Sequence, residues 1–289
     1  MRLAIGTAQF GLTYGVANQN GQVSLAAARE IILRAAESGV DTLDTAMAYG
    51  NSEQRLGEIG VGGFKVITKL QAIPEECPNI SIWITKCVAA SLARLGVAKL
   101  EGLLLHKPSQ LLEPHGQKIH DALIRLKSDG LVNKIGVSIY DPGELDDLTA
   151  QFPMDIVQAP FNIVDQRLRT SGWLGRLASM NVELHARSIF LQGLLLMDEA
   201  SRPEKFNRWS AFWIQWHKHL QASGRTALET CLDFAMSEKR IHRIVVGVES
   251  LAQFEECLQA MRGNRKSTGP IPTCDDAQLV DPRAWTALV

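Results

Sequence analysis

Asp41-Thr42-Leu43-Asp44-Thr45-Ala46-Met47-Ala48-Tyr49-Gly50 reads as a strand that runs into a functional loop. Val40, Thr42 and Leu43 are strand formers, and they follow Ser38-Gly39, a helix stop signal. At the far end stand a carboxylate, Asp44, and a phenol, Tyr49, separated by small residues. Gly50-Asn51-Ser52 breaks the run, and a helix is expected from Ser52 or Glu53. A carboxylate and a phenol at the C-terminal end of a barrel strand lie where such folds do chemistry. Taken alone, the same stretch also fits an Asp that caps the loop and a Tyr that fills the rim.

Upstream, Leu3 to Thr7 is a short buried strand, and Gly6 to Gly11 a glycine-bearing loop. Gly15 to Gly21 is polar and turn-like, and Ser24 caps a helix through Glu37. Downstream, further strands are expected at Lys65–Lys69, Gly102–His106, Asn133–Ser138, Asp155–Gln158, Val182–Arg187 and Arg243–Gly247. Helices are expected between them, including Ile80–Leu95, Trp173–Ser179, Thr226–Lys239 and Leu251–Arg262. An insertion at about 190–223 carries Phe206, Trp209, Phe212, Trp213 and Trp216 at spacings of one, three and four. That periodicity predicts a packed amphipathic helix, with an apolar lid as the alternative. From about residue 265 the prolines predict an irregular tail. Short apolar strands alternating eight times with helices imply a parallel sheet covered by helices. Eight such units in 289 residues favour one closed (β/α)₈ barrel domain, 1–289, over an open sheet. No G-x-G-x-x-G follows the first strand, which argues against a Rossmann domain.

Composition narrows the class. The chain is 46% hydrophobic and 21% charged, enough for one large core. Thirty basic and thirty-one acidic residues leave a net charge of −1, so nothing points to nucleic acid or an anionic membrane. No stretch approaches the ~20 apolar residues of a membrane span, and the N-terminus does not read as a signal peptide. Cys77, Cys87, Cys231, Cys257 and Cys274 are odd in number and scattered, without metal-ligand spacing. Reduced thiols and a cytoplasmic location are the expectation.

Four polar residues fall at strand ends: Asp44 and Tyr49 after the second strand, Lys69 at the third, His106 at the fourth. Consecutive strand ends of a barrel line one mouth, so the four form a polar cluster there. In order, Asp44 to Gly50, Ser52-Glu53, Leu56-Gly57, Lys69, Ser91-Leu92, Arg94 to Gly96, Leu104 to His106, Gly136 to Ser138, Gln158 and Ile244 to Gly247 resemble the aldo-keto reductase superfamily. The resemblance covers roughly residues 3 to 262. It implies metal-free hydride transfer between a nicotinamide cofactor, NADP(H) or NAD(H), and a small aldehyde, ketone or sugar carbonyl. It makes Tyr49 the proton donor, Lys69 its support, Asp44 the partner of the lysine and His106 the group that orients the carbonyl. It makes Gly6, Thr7, Ser138, Gln158, Arg187, Ser188, Gly247, Glu249 and Gln253 the candidate cofactor contacts. The chemistry is self-consistent. A free phenol titrates near ~10, and a neighbouring ammonium stabilises its phenolate.

Departures from the family pattern fall at the cofactor. Ile139 follows Ser138 where an amide-binding asparagine is common. Arg187 takes the place of a stacking tyrosine; its guanidinium either lies against nicotinamide or substrate, or sits in a salt bridge. After Gly247 no Lys or Arg occurs until Arg262, and Glu249 stands near the expected ribose. A carboxylate suits a ribose hydroxyl better than a 2′-phosphate, unless Arg187 or Arg243 supplies the missing charge. Two rival functions stay open at this level. One is a cofactor-binding regulatory barrel with little turnover, against which the intact four-residue set argues. The other is a lyase or isomerase using Tyr49 and Lys69.

Overall fold

The computed structural model describes residues 1–262, 271–274 and 276–287. Eight parallel strands close into a barrel in sequence order. They are β1 (Leu3–Gly6), β2 (Thr42–Asp44), β3 (Lys65–Leu70), β4 (Leu100–Leu105), β5 (Val132–Ser138), β6 (Ile156–Pro160), β7 (Glu183–Arg187) and β8 (Ile241–Gly247). Closure is made by β1 against β8, with Leu3 opposite Ile244 and Gly6 opposite Gly247. The helices are α1 (Ala8–Gly11), α2 (Leu25–Glu37), α3 (Ser52–Ile59), α4 (Ile80–Leu95), α5 (Gly116–Ser128), α6 (Glu144–Gln151), α7 (Arg167–Thr170), α8 (Trp173–Ser179), α9 (Ser210–Ser223), α10 (Ala227–Ser237), α11 (Leu251–Arg262) and α12 (Ala277–Val280). The expected (β/α)₈ barrel is therefore the observed fold, with every expected strand within a few residues of its place.

Strand side chains alternate with period two, and in a barrel one set points inward. Ile67, Leu104 and Ile156 form an apolar plug of their own, separate from the large core between strands and helices. Two residues further along the same strands come Lys69, His106 and Gln158, on the C-terminal side of the plug. On the N-terminal side lies a charged layer, in which Lys134 bridges Glu101 and Glu183, each at 2.8 Å. Arg243 belongs to that N-terminal layer, 3.5 Å from Asp41. It is thus at the wrong end of β8 to meet a cofactor phosphate, contrary to the option the sequence left open.

Three expectations need correction. The loop after β1 contains a short helix, α1, because Ala8 to Gly11 turns back across the mouth. The aromatic insertion divides in two. Phe206, Trp213 and Trp216 are buried, so the 3₁₀ turn at Glu204–Trp209 and α9 pack as the periodicity predicts. The part before them, around 190–197, instead borders the cavity described below. The tail is not wholly irregular. Residues 263–270 lie outside the described residues, but α12 and a 3₁₀ turn at Pro282–Ala287 bury Leu279, Val280 and Trp285. Trp285 meets Phe206 edge-on at 4.9 Å, and Trp209 Nε1 donates to Asp276 Oδ2 at 2.9 Å. The sequence offers prolines there but no periodicity, so this docking is invisible before the fold is known.

Candidate active site

β2 ends at Asp44, and the loop beyond it is held as if the strand continued. Thr45 N–H donates to Ile67 O at 2.8 Å and Met47 N–H to Lys69 O at 3.1 Å. A turn, Tyr49 N–H to Ala46 O at 3.0 Å, then aims Tyr49 at the mouth. Two glycines let this loop meet α1 backbone to backbone. A Cβ on Gly11 would lie 1.8 Å from the Tyr49 carbonyl oxygen, and one on Gly50 2.3 Å from the Gly11 carbonyl oxygen. Gly50 also has φ +52°, a region costly for most L-residues. Behind the loop, buried Glu53 accepts from Thr68 and Ser91 hydroxyls, each at 2.7 Å, and from both Arg94 Nε and Nη2. The Ser52-Glu53, Ser91 and Arg94 matches in the sequence are thus a structural clamp of α3 on β3 and α4.

Lys69 is buried, and its ammonium donates to Asp44 Oδ1 at 2.6 Å and to the Thr45 carbonyl at 2.9 Å. It lies 5.0 Å from the centroid of the Tyr49 ring. Burial alone would push Lys69 down, but Asp44, Tyr49 and the hydrogen bond to Asp44 more than offset it, and the net displacement is upward. The lysine therefore stays an ammonium. Asp44 Oδ2 accepts from Gln158 Nε2 at 2.7 Å, and Ser138 Oγ donates to Gln158 Oε1 at 3.3 Å. The chain Ser138–Gln158–Asp44–Lys69 crosses the barrel interior and fixes the ammonium under the phenol. His106 follows β4, held by its N–H on Leu70 O at 3.1 Å. Its ring stands edge-on to Tyr49, centroids 5.9 Å apart at 79°. Burial, then Lys69 and Arg187, push His106 down to about 4, so near neutrality it is an uncharged imidazole with one N–H to donate.

A cavity of about 710 Å³ opens on this cluster. Of the residues selected from sequence, Gly6, Thr7, Asp44, Tyr49, His106, Ser138, Arg187, Ser188, Gly247, Glu249 and Gln253 line it. Lys69 and Gln158 are not among the lining residues; both side chains donate to Asp44 from behind it. Among the described residues Arg187 makes no salt bridge: it donates to Ile139 O at 2.9 Å and Ser188 Oγ at 3.1 Å, with Cζ 4.3 Å from the Tyr140 ring centroid. Burial pushes the Glu249 carboxyl up, partly countered by a hydrogen bond from Asn20.

Several wall residues escape a sequence reading. Tyr14 faces the cavity; burial, and next Tyr49, push its hydroxyl up to about 12. Gln192 and Gly193 approach it from the insertion, where Val16 N–H donates to Gln192 O at 3.1 Å. Glu256 lies two turns along α11 from Glu249. Only the spacing of Glu249, Gln253 and Glu256 along one helix approach could have signalled the last.

Comparison with known proteins now decides the family. The aldo/keto reductase family model matches residues 2–277. The chain belongs to that family. As an aldo/keto reductase it is an oxidoreductase, of a family that generally uses nicotinamide cofactors on small carbonyl compounds. The uncharacterised oxidoreductase YqkF of Bacillus subtilis (strain 168) is 23% identical over 261 residues, 82% of this chain and 83% of that protein. The NADH-specific methylglyoxal reductase of Escherichia coli (strain K12) is 26% identical over 194 residues, 58% of this chain and 57% of its own. Among solved structures, a holo-form aldo-keto reductase from Bacillus halodurans superposes with TM-score 0.74 at 18% identity, covering 92% of this chain and 88% of that one. The glycerol dehydrogenase of Gluconobacter oxydans gives TM-score 0.69 at 20% identity, covering 100% and 92%. At these identities the two structures speak for the fold alone.

Proposed function

We propose that this aldo/keto reductase reduces a small aldehyde or ketone, or oxidises the matching alcohol, with Tyr49 as proton donor and acceptor. The observation that carries the reading is the position of the Lys69 ammonium, 2.6 Å from Asp44 and 5.0 Å from the Tyr49 ring centre. As a carbonyl carbon takes up hydride, its π pair moves to oxygen. That oxygen then needs a proton, which Tyr49 supplies. The phenolate left behind is stabilised by Lys69, whose own charge is kept by Asp44. His106, neutral and edge-on to Tyr49, donates a hydrogen bond to the same oxygen while charge develops there. Reversal of each transfer gives alcohol oxidation.

The residues present fit a nicotinamide dinucleotide. The cavity runs from the tetrad past Ser188 and Gln192 to the N-terminus of α10 and on to α11. An eleven-residue helix that starts at the cavity, with Thr226 as its cap, is suited to an anionic group. When bound, the nicotinamide supplies or accepts the hydride. The far wall carries Glu249 and Glu256 and no Lys or Arg among the described residues, which favours NAD(H) over NADP(H). Tyr49→Phe tests the assignment. General acid catalysis is worth ~10²–10⁴-fold, so turnover with NADH and an aldehyde panel should drop by at least ~10²-fold while NADH still quenches tryptophan fluorescence. Near-parental turnover in the Phe protein would remove Tyr49 from this role.

A further inference from the structure

The C-terminal tail reaches the cavity wall through one aromatic ring. No described residue of the tail lines the cavity itself, whereas Tyr140, in the loop after β5, does. The Tyr140 ring carries two guanidinium groups. Arg187, from the cavity wall, has Cζ 4.3 Å from the ring centroid, and Arg283, from the 3₁₀ turn of the tail, has Cζ 4.1 Å from it. Guanidinium planes stack on aromatic faces, and the attraction reaches to ~6 Å from the centroid. Two like charges on one ring would repel, but the charge of Arg283 is answered. Its Nε donates to Asp281 Oδ1 at 3.0 Å and its Nη2 to Oδ2 at 2.6 Å. Two residues further on, Trp285 is buried against Phe206, and its Nε1 donates to Leu279 O at 3.0 Å. The turn that carries Arg283 is thereby anchored.

The backbone of the Tyr140 loop is held without the tail. Tyr140 and Asp141 N–H both donate to Glu144 Oε1 at 2.8 Å, and Arg167 donates to Tyr140 O at 3.0 Å and to Asp141 Oδ2 at 2.7 Å. What Arg283 adds is support of the ring, and the other guanidinium on that ring is Arg187. Arg187 stands at the tetrad end of the wall, where its charge acts on His106 and Lys69. Hydride has to be handed over at a carbonyl held by Tyr49 and His106, so the nicotinamide end of a dinucleotide lies along this part of the wall. We propose that Arg283 is a positioning residue for the nicotinamide: packed on Tyr140, it holds that ring against Arg187, and the nicotinamide lies on Arg187. The adenosine end, toward α11, is outside its reach. This inference rests on the dinucleotide-dependent reductase reading of the site.

Two probes test it, NADH and ADP-ribose, which lacks the nicotinamide; both are titrated by calorimetry into the whole protein and its variants. A cation over a ring at a partly exposed site corresponds to about 2–5-fold in affinity. Arg283→Ala should therefore weaken NADH by about threefold and leave ADP-ribose within about 1.5-fold. Arg283→Lys keeps a cation and should recover part of the loss. Tyr140→Leu removes the relay and should make Arg283→Ala silent, the double variant binding NADH within about 1.5-fold of Tyr140→Leu alone. The same silence is expected in an Arg187→Ala background. A tail that matters only for folding behaves differently. It would lower the urea midpoint and the binding of both probes together, and its effect would add to that of Tyr140→Leu. An unchanged NADH constant in Arg283→Ala, equal losses for both probes, or additivity in the double variants overturns the proposal. A parent protein that binds neither NADH nor NADPH fails one step earlier: the dinucleotide reading then falls, and this inference with it.

Discussion

At the scale of single residues, the tetrad is a problem of placing one proton and two positive charges. Lys69 keeps its proton because Asp44 answers its charge inside the barrel. His106 cannot keep a second one, because it is partly buried and flanked by the charges of Lys69 and Arg187, with smaller help from Asp44. The consequence for pH has a definite sign. An unfolded histidine takes up a proton near ~6.5, whereas His106 resists until about 4. Its contribution to stability is therefore complete above the unfolded value and is lost as pH falls toward the folded one, up to ~3 kcal/mol at full effect. His185 is displaced downward as well, chiefly by burial, and adds in the same direction. Urea unfolding at pH 7.5 and 5.0 should show the lower midpoint at 5.0, and His106→Gln should narrow the gap. Over the same range kcat/KM should show no acid limb from His106. A limb near pH 6.5 that vanishes in the Gln protein would contradict a neutral, partly buried imidazole.

At the scale of elements, the strands were the readable part. Asp44, Lys69 and His106 sit at strand ends that their apolar lead-ins declare, and Tyr49 follows Asp44 by five residues, so four catalytic candidates could be placed in one mouth. Gln158 came from the family resemblance, as a cofactor contact; that period two points it inward at Asp44 requires the register across two non-adjacent strands. Loops gave less. Tyr14 and Gln192 approach the cavity from two separate connections and Glu256 from α11, and no local pattern says that they converge. The insertion shows why. Its helix α9 was legible through its aromatic periodicity, while the preceding stretch is fixed by tertiary contacts. Trp216 Nε1 donates to Leu195 O at 3.2 Å, and Ser188, Leu191 and Gln192 hold positive φ. Gly193, at φ +88°, passes so close to Ala17 that an added Cβ would lie 2.5 Å from the alanine methyl. Trp216 is fully buried, so Trp216→Ala should cost ~3–5 kcal/mol. It should also weaken NADH binding by releasing the 190–197 stretch from the cavity wall. Trp216→Phe retains most of the apolar area but leaves the Leu195 carbonyl without this donor, a loss of ~1–3 kcal/mol. Chemical denaturation and fluorescence titration of both variants check this; an Ala variant with parental affinity for NADH would separate α9 from the site.

At the scale of the whole molecule, the barrel interior is layered: ion pairs at the N-terminal end, then an apolar plug of Ile67, Leu104 and Ile156, then the tetrad above it. The cavity leads outward from the third layer toward α11, and under the proposed function its far end chooses between the dinucleotides. There the sequence argument and the geometry meet. Arg243, one of the two cations the sequence offered for a 2′-phosphate, is locked to Asp41 and Thr42 in the N-terminal layer. Arg187, the other, stands at the tetrad end with His106. Among the described residues, the charged groups at the far end are Glu249, with its N–H donating to Gln253 Oε1 at 2.8 Å, and Glu256. Two unit charges ~4 Å apart at an effective dielectric near 20 interact by about 4 kcal/mol, an upper guide for a site partly open to water. Even a third of that, ~1.4 kcal/mol, is tenfold in affinity. NADH should therefore bind at least as tightly as NADPH. Glu249→Arg should reverse the order, because it removes a repulsion and adds a fork that matches phosphate geometry. Raising the salt concentration should shrink the difference, since the site is near the surface. Dissociation constants for both cofactors, on both proteins and at two ionic strengths, decide the matter. A parental preference for NADPH above about a hundredfold, roughly 2.7 kcal/mol, would mean that some other group binds the phosphate and that Glu249 does not govern the choice.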